Sequence, residues 1–137
     1  MFNPGDIAFL FTASVIIILM TPAVAYFYGG LVDRPFTNTM IMQTFFALPL
    51  ITLVWAFFGF SLAYGENILG GFIGGGDFMF LKGILDNSNN IWAPTVPFSL
   101  FFVVQLSFAI ITPALITGAL IGRFRFVPYV IFFVAWS

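Results

Sequence analysis

The sequence predicts an all-α polytopic membrane protein, and three observations predict it. Hydrophobic residues fill 61% of the 137 positions, against roughly 45–50% in a soluble domain. Lys and Arg number four and Asp and Glu five, where a soluble domain of this length carries roughly 34 charges. Those few charges leave long uninterrupted apolar runs, and a span needs about 20 apolar residues, each rising 1.5 Å, to cross a hydrocarbon core about 30 Å thick.

The first span covers about residues 7–32, bracketed by Asp6 and Asp33 and densest from Val15 to Met20. Met1 to Asp6 carries no Lys or Arg and the run behind it is long, so it reads as retained structure and not as a signal peptide. The second span, about 38–64, is again free of charge and runs through Phe45, Leu50, Leu53 and Trp55. The third, about 95–121, is entered through Pro94 and Pro97, residues that suit a helix start. A fourth run opens at Val127 and reaches Ser137, which is 11 residues and about half a crossing. A helix end left in hydrocarbon would strand carbonyls at a cost of several kcal/mol. Residues 1–137 therefore read as the N-terminal part of a longer membrane domain, with a short interfacial tail as the alternative.

Basic residues in short loops set orientation. Arg34 follows span one and Arg123 and Arg125 follow span three, whereas the loop between spans two and three holds Lys82 with Glu66, Asp77 and Asp86. The basic loops belong inside and the N-terminus outside. The outside loop, Gly65 to Ala93, contains GGFIGGG from Gly70 and DNSNN from Asp86. These are turn formers, and the glycine run fits neither GxGxxG nor GxxxxGK[ST], the phosphate-binding patterns. A flexible connector with a short interfacial segment around Phe78 to Leu81 is expected.

Composition excludes several functions. A net charge of −1 argues against a nucleic-acid partner, which needs clustered Lys and Arg. Zero Cys and zero His remove disulfides, a thiolate nucleophile, a Cys or His metal site and a histidine base. The five carboxylates lie at span ends or in loops with no two in an obvious pocket, so no catalytic residues, no metal and no cofactor are expected, and an enzyme is not expected.

Inside the spans, Pro22, Pro49 and Pro113 each remove a helical hydrogen bond, from the carbonyls of Ile18, Phe45 and Ala109. Such prolines are either packing features or cavity walls. Gln43 and Gln105 must face the protein interior, as glue between helices or as a polar lining. At spacings of four, three and four, Phe101, Gln105, Phe108 and Thr112 share one stripe beside Pro113. Phe108 on that stripe fits either core packing or the edge of a passage. Ala114, Gly118 and Gly122 form a small-residue face for close helix approach, and Gly29 and Gly30 suit the C-terminal end of span one.

Four ordered stretches carry a resemblance: MTPAVAYFYGGLVDR from Met20, NTMIMQTF from Asn38, LVWAFFGFSLAYGE from Leu53 and VQLSFAIITPALITGALIGRFRF from Val104. Together they cover nearly the whole chain and resemble the ammonium transporter family, which includes methylammonium permeases and, more distantly, Rhesus glycoproteins. The resemblance implies an eleven-helix inverted-repeat fold, of which these are the first three transmembrane helices and the start of a fourth. It also implies a homotrimer in the cell membrane with an outside N-terminus and, as a partner, a cytoplasmic nitrogen-regulatory protein. The function implied is transport of ammonium or ammonia: capture at an aromatic outer vestibule, an aromatic gate, and a narrow apolar pore with two facing histidines.

By the same resemblance Phe108 is the gate phenylalanine, and Gln105 is the glutamine three residues before it. Phe27 and Tyr28 are the aromatic pair beside the pore. Val104 stands where the family often has a vestibule aromatic, a role that Phe101, one turn earlier, partly takes. Gly122 stands where many members carry an acid. The pore histidines and the gate's stacked partner are implied to lie outside these residues. Two other readings are an ammonium-sensing membrane module coupled to a signalling domain and a short structural membrane protein.

Overall fold

The computed structural model describes residues 2–85 and 91–137, so the DNSNN part of the loop between the second and third spans lies outside the described residues. Helix α1 spans Pro4–Leu31, α2 spans Arg34–Tyr64 and α3 spans Phe98–Leu120, all three long and apolar enough to cross a membrane. Helix α4, Phe126–Trp136, is shorter. α1 starts one turn ahead of Ile7 because Asn3 caps it, its side chain accepting from the Gly5 N–H at 2.9 Å, with Pro4 in the first turn. α2 likewise starts at Arg34, ahead of Asn38, with Pro35 in the first turn. Proline at those positions loses no hydrogen bond, since the first N–H groups of a helix have no partner within it. Pro97 precedes α3, its carbonyl accepting from Phe101 N–H at 3.1 Å.

α1 packs on both α2 and α3, which pack on one another, and α4 packs on α2 and α3. The contact between α1 and α2 explains Gly29. This residue does not end the helix: it is buried inside α1, where a Cβ would stand 2.8 Å from Ile41 Cγ1. Its role is to let α2 approach. Gly30, one residue on and turned away, meets nothing within 4 Å.

Two apolar clusters hold the bundle. Ala47, Ile51, Ile110, Ala114, Tyr129 and Phe133 join α2, α3 and α4, while Phe60, Ile84, Phe98, Phe101 and Phe102 join the end of α2 to the start of α3. Hydroxyls inside the spans mostly turn back on their own helix, four residues earlier, as in Ser14 to Leu10 O (2.8 Å), Thr44 to Met40 O (2.9 Å) and Ser107 to Val103 O (2.7 Å). Tyr129 instead links helices. Its buried hydroxyl donates to the Gln43 carbonyl of α2 at 2.7 Å and lies 3.2 Å from the Thr117 hydroxyl of α3.

The connector between α2 and α3 carries secondary structure among its described residues. Strands β1, Asn67–Ile68, and β2, Ile73–Gly74, pair antiparallel. The hairpin is tied to α2 by Ser61, whose hydroxyl donates to Gly75 O at 2.7 Å and accepts from Phe78 N–H at 3.0 Å. Glycine is required for this contact. A Cβ on Gly74 would lie 2.6 Å from Leu62 O, and one on Gly65 would lie 2.5 Å from Ser61 O. Both would strike backbone.

Two outcomes are expected in unfolding titrations of the detergent-solubilised protein. Tyr129→Phe, which unpairs Thr117, lowers stability by about 1 kcal/mol, and pairing it with Thr117→Val adds less than the sum of the single losses. Gly74→Ala lowers stability by about 1–3 kcal/mol through backbone overpacking, whereas Gly76→Ala, facing only the flexible Met79 side chain, changes it little.

Candidate functional site

A cavity of about 240 Å³ opens between α2, α3 and α4, walled by Trp55, Gln105, Phe108, Ala109, Pro113 and Trp136. Helix periodicity places Gln105, Phe108, Ala109 and Pro113 on the same side of α3, and Trp55 arrives from α2 where that helix loosens into a π turn over Trp55–Gly59. Such turns are frequent at functional sites. Phe108 is 51% exposed, as are several other phenylalanines on the outer faces of these helices.

The wall has a definite chemistry. Gln105 brings an amide with both donor and acceptor atoms. Pro113 has no N–H, so the Ala109 carbonyl lacks the helical donor that would otherwise cover it. The hydroxyl of Thr112 is spent on Phe108 O at 2.8 Å. Trp55 Nε1 is buried without an acceptor among the described residues. No lining residue is charged. A ring face, an amide and an uncovered carbonyl in an apolar frame suit a small polar or cationic solute, because π faces attract cations and carbonyls replace hydration.

The other site residues read from sequence are not in this cavity. Phe101 belongs to Phe108's stripe by spacing, yet it is buried between Trp92, stacked on it at 6.1 Å with planes 10° apart, and Tyr64, edge-on at 5.3 Å. Val104 is buried as well. Tyr28 packs against α3, donating to Leu115 O at 3.3 Å, and it lines a separate cavity of about 500 Å³ with Leu115 and Gly118. Phe27 points away and is 63% exposed. Its ring nonetheless lies 6.0 Å from the Tyr28 ring, tilted by 43°, so the two form one aromatic pair of which only Tyr28 lines that cavity. Trp55, Trp136 and Trp92 were not singled out by spacing. The signal for Trp55 was its place in LVWAFFGFSLAYGE, but nothing local ties it to Gln105, 50 positions later.

Residues 8–137 match the sequence profile of the Ammonium Transporter Family. The chain belongs to this family. Among its relatives, an ammonium transporter of Bacillus subtilis is 36% identical over 97% of this chain and 32% of its own length. One from Aquifex aeolicus is 39% identical over 98% of this chain and 31% of its own. The crystal structure of Saccharomyces cerevisiae Mep2 superposes with a TM-score of 0.83 at 27% identity, over 98% of this chain and 30% of that one. Candida albicans Mep2 gives 0.82 at 29% identity, over 98% and 29%. The chain thus spans about a third of the length of the curated ammonium transporters it matches, and it is a multi-pass membrane protein of that fold.

The close approach of α1 to α3 at this family segment generates a prediction. A Cβ on Gly118 would stand 3.1 Å from Tyr28 Cε2. Gly118→Val should therefore displace the Tyr28 ring and lower stability by about 1–3 kcal/mol, read by thermal unfolding, while Gly118→Ala costs less because the ring can shift by a few tenths of an ångström.

Proposed function

We propose that this chain takes part in transport of ammonium or ammonia across the cell membrane, with Phe108 as the gate and Gln105 beside it. The observation that supports the reading best is the half-exposed Phe108 in a cavity whose other polar elements are the Gln105 amide and the carbonyl that Pro113 uncovers. An ammonium ion leaving water needs acceptors and a π face, and an ion of similar size that cannot give up its proton pays the full desolvation cost in the apolar region that follows. On the approach to this point the Trp92 indole, stacked on Phe101, offers a first cation–π surface. Tyr28 and Phe27 act further along α1, beside the second cavity.

The proposed orientation has the N-terminus outside, with Arg34, Arg123 and Arg125 at the cytoplasmic face. The proposed assembly is a homotrimer, and a cytoplasmic nitrogen-regulatory protein is the proposed soluble partner. Uptake of labelled methylammonium by the full-length gene product in cells deficient in ammonium uptake tests the function. Membrane-inserted protein without uptake would refute it.

Phe108→Ala separates gate from core. Truncating a fully buried Phe costs about 3–5 kcal/mol, so a packing residue would lose stability and flux together. The expected outcome is a smaller stability loss with changed flux and selectivity per folded protein, because an apolar constriction acts partly by dewetting; liposome flux normalised to intact protein, measured beside thermal unfolding, decides. On α1, Phe27→Ala is expected to alter selectivity between ammonium and methylammonium more than Tyr28→Phe, which removes only a hydroxyl. Equal discrimination by both variants would assign the pair to packing.

A further inference from the structure

Pro113 sits differently from the other two prolines inside the spans. Pro22 and Pro49 also take a helical donor away, from the carbonyls of Ile18 and Phe45, yet none of those four residues lines the cavity at Phe108. Pro113 lines it, and so does Ala109, whose carbonyl Pro113 leaves without its donor. The Pro113 ring is fully buried, so packing holds it in place. The nearby Thr112 hydroxyl does not cover the Ala109 carbonyl instead, because it donates to Phe108 O at 2.8 Å.

The order of these groups along α3 gives the carbonyl a position in a path. The helix starts at the connector end of the bundle, and Gln105, Phe108 and Ala109 follow one another over about 6 Å of rise. Helical side chains lean toward the N-terminal end of their helix, whereas the carbonyls point toward the C-terminal end, where their donors lie four residues on. The sequence of groups met from the connector end is therefore the Gln105 amide, the Phe108 ring and then the Ala109 oxygen. With no charged residue in the wall, a cation crossing the ring must exchange one dipole for another without returning to water. The Ala109 side chain is only a methyl group, so main chain alone offers an acceptor there.

We propose that the Ala109 carbonyl receives an ammonium N–H on the far side of the Phe108 ring, taking over from the Gln105 amide, and that Pro113 determines specificity by keeping this carbonyl open. The inference rests on the reading of this cavity as the ammonium path and adds to it a second acceptor, supplied by the main chain. An ammonium ion brings directional N–H donors that a single carbonyl can accept, while the ring face attracts the remaining charge. A potassium ion of similar size has no such donors, and replacing its hydration takes a full shell of oxygens, which this wall does not hold.

The test uses the full-length gene product in liposomes, with ammonium and potassium flux measured per intact protein beside thermal unfolding. Pro113→Ala restores an N–H at position 113, which closes on the Ala109 carbonyl. The unfolding temperature should change by only a few degrees, because alanine's preference for helix offsets the packing lost with the ring. Apparent ammonium affinity should weaken by roughly 10- to 100-fold, the equivalent of one hydrogen bond to a charged group, and the ratio of ammonium to potassium flux should fall. Lactic acid in place of Pro113, introduced by nonsense suppression, removes the ring but brings an ester oxygen where Pro113→Ala brings an N–H, so it should transport like the wild type. The α-hydroxy analogue of isoleucine in place of Ile110 keeps the proline and makes the Ala109 carbonyl the weaker acceptor of an ester. It should reproduce the Pro113→Ala loss, and it decides the question if Pro113→Ala does not fold. Unchanged affinity and selectivity in Pro113→Ala or in the Ile110 ester would overturn the proposal. Equal losses in Pro113→Ala and the lactic acid variant would assign the effect to the kink and overturn it as well. Failure of the transport reading itself is a different result, absence of ammonium flux in the wild type.

Discussion

Hydrocarbon offers no hydrogen bonds, and that constraint governs the arrangement of this chain. With so few charges, all in loops or at helix ends, the bundle is organised by how its uncharged polar groups find partners. Most hydroxyls inside the spans solve the problem locally, on a carbonyl one turn earlier, and then behave toward neighbouring helices as apolar groups. Tyr129 solves it at long range, and so fixes α4 against α2 and α3. Against this background the exceptions stand out. Thr21 Oγ1 and Trp55 Nε1 are buried and unpartnered among the described residues, and the Ala109 carbonyl faces a proline. The Ile18 and Phe45 carbonyls likewise face prolines; of these five groups, Trp55 Nε1 and the Ala109 carbonyl belong to residues of the Phe108 cavity.

Glycine does several jobs that composition alone does not separate. Gly29 and Gly118 let helices meet, each by admitting a specific side chain, Ile41 and Tyr28. Gly65 and Gly74 let a hairpin backbone touch the last turn of α2, with carbonyl oxygens where side chains would be. Gly122 reverses the chain at positive φ. A glycine-rich stretch that reads as a connector is thus, in part, a packing surface made of main chain.

Much of this architecture was legible because charge position and span length are one-dimensional properties. Asp6, Asp33, Glu66 and the two arginines after α3 bracket the helices on the page as they do in space. Helix starts lie earlier where the Asn3 cap and Pro35 in the first turn favour a start that an apolar-run count does not weigh. The candidate site was legible only along α3, where Gln105 and Phe108 share a face by periodicity. What periodicity cannot give is what covers a face: Phe101 sits on the same stripe but is roofed by Trp92 and Tyr64, which arrive from a loop and another helix. Trp55 reaches the site across α2 for the same non-local reason. Phe27 and Tyr28, adjacent in a motif, differ in burial because consecutive helix residues are about 100° apart: Tyr28 turns onto α3 while Phe27 faces outward, its ring still 6.0 Å from its neighbour's.

The π turn at Trp55–Gly59 acts as a phase shifter within a single span. One residue more than an α-helical turn is spent there, so everything beyond it is rotated relative to the first two-thirds of α2. That rotation aims Phe60 into the ring cluster on α3 and Ser61 at the hairpin backbone, while Ala47 and Ile51, before the shift, stay aligned with the α4 contact. One helix thereby serves two partners whose directions an unbroken helical repeat would not reconcile. Closing this turn into an ordinary α-turn with the sequence unchanged would leave the span long enough to cross the bilayer, but would swing its last third by about 100° and detach the hairpin from its anchor.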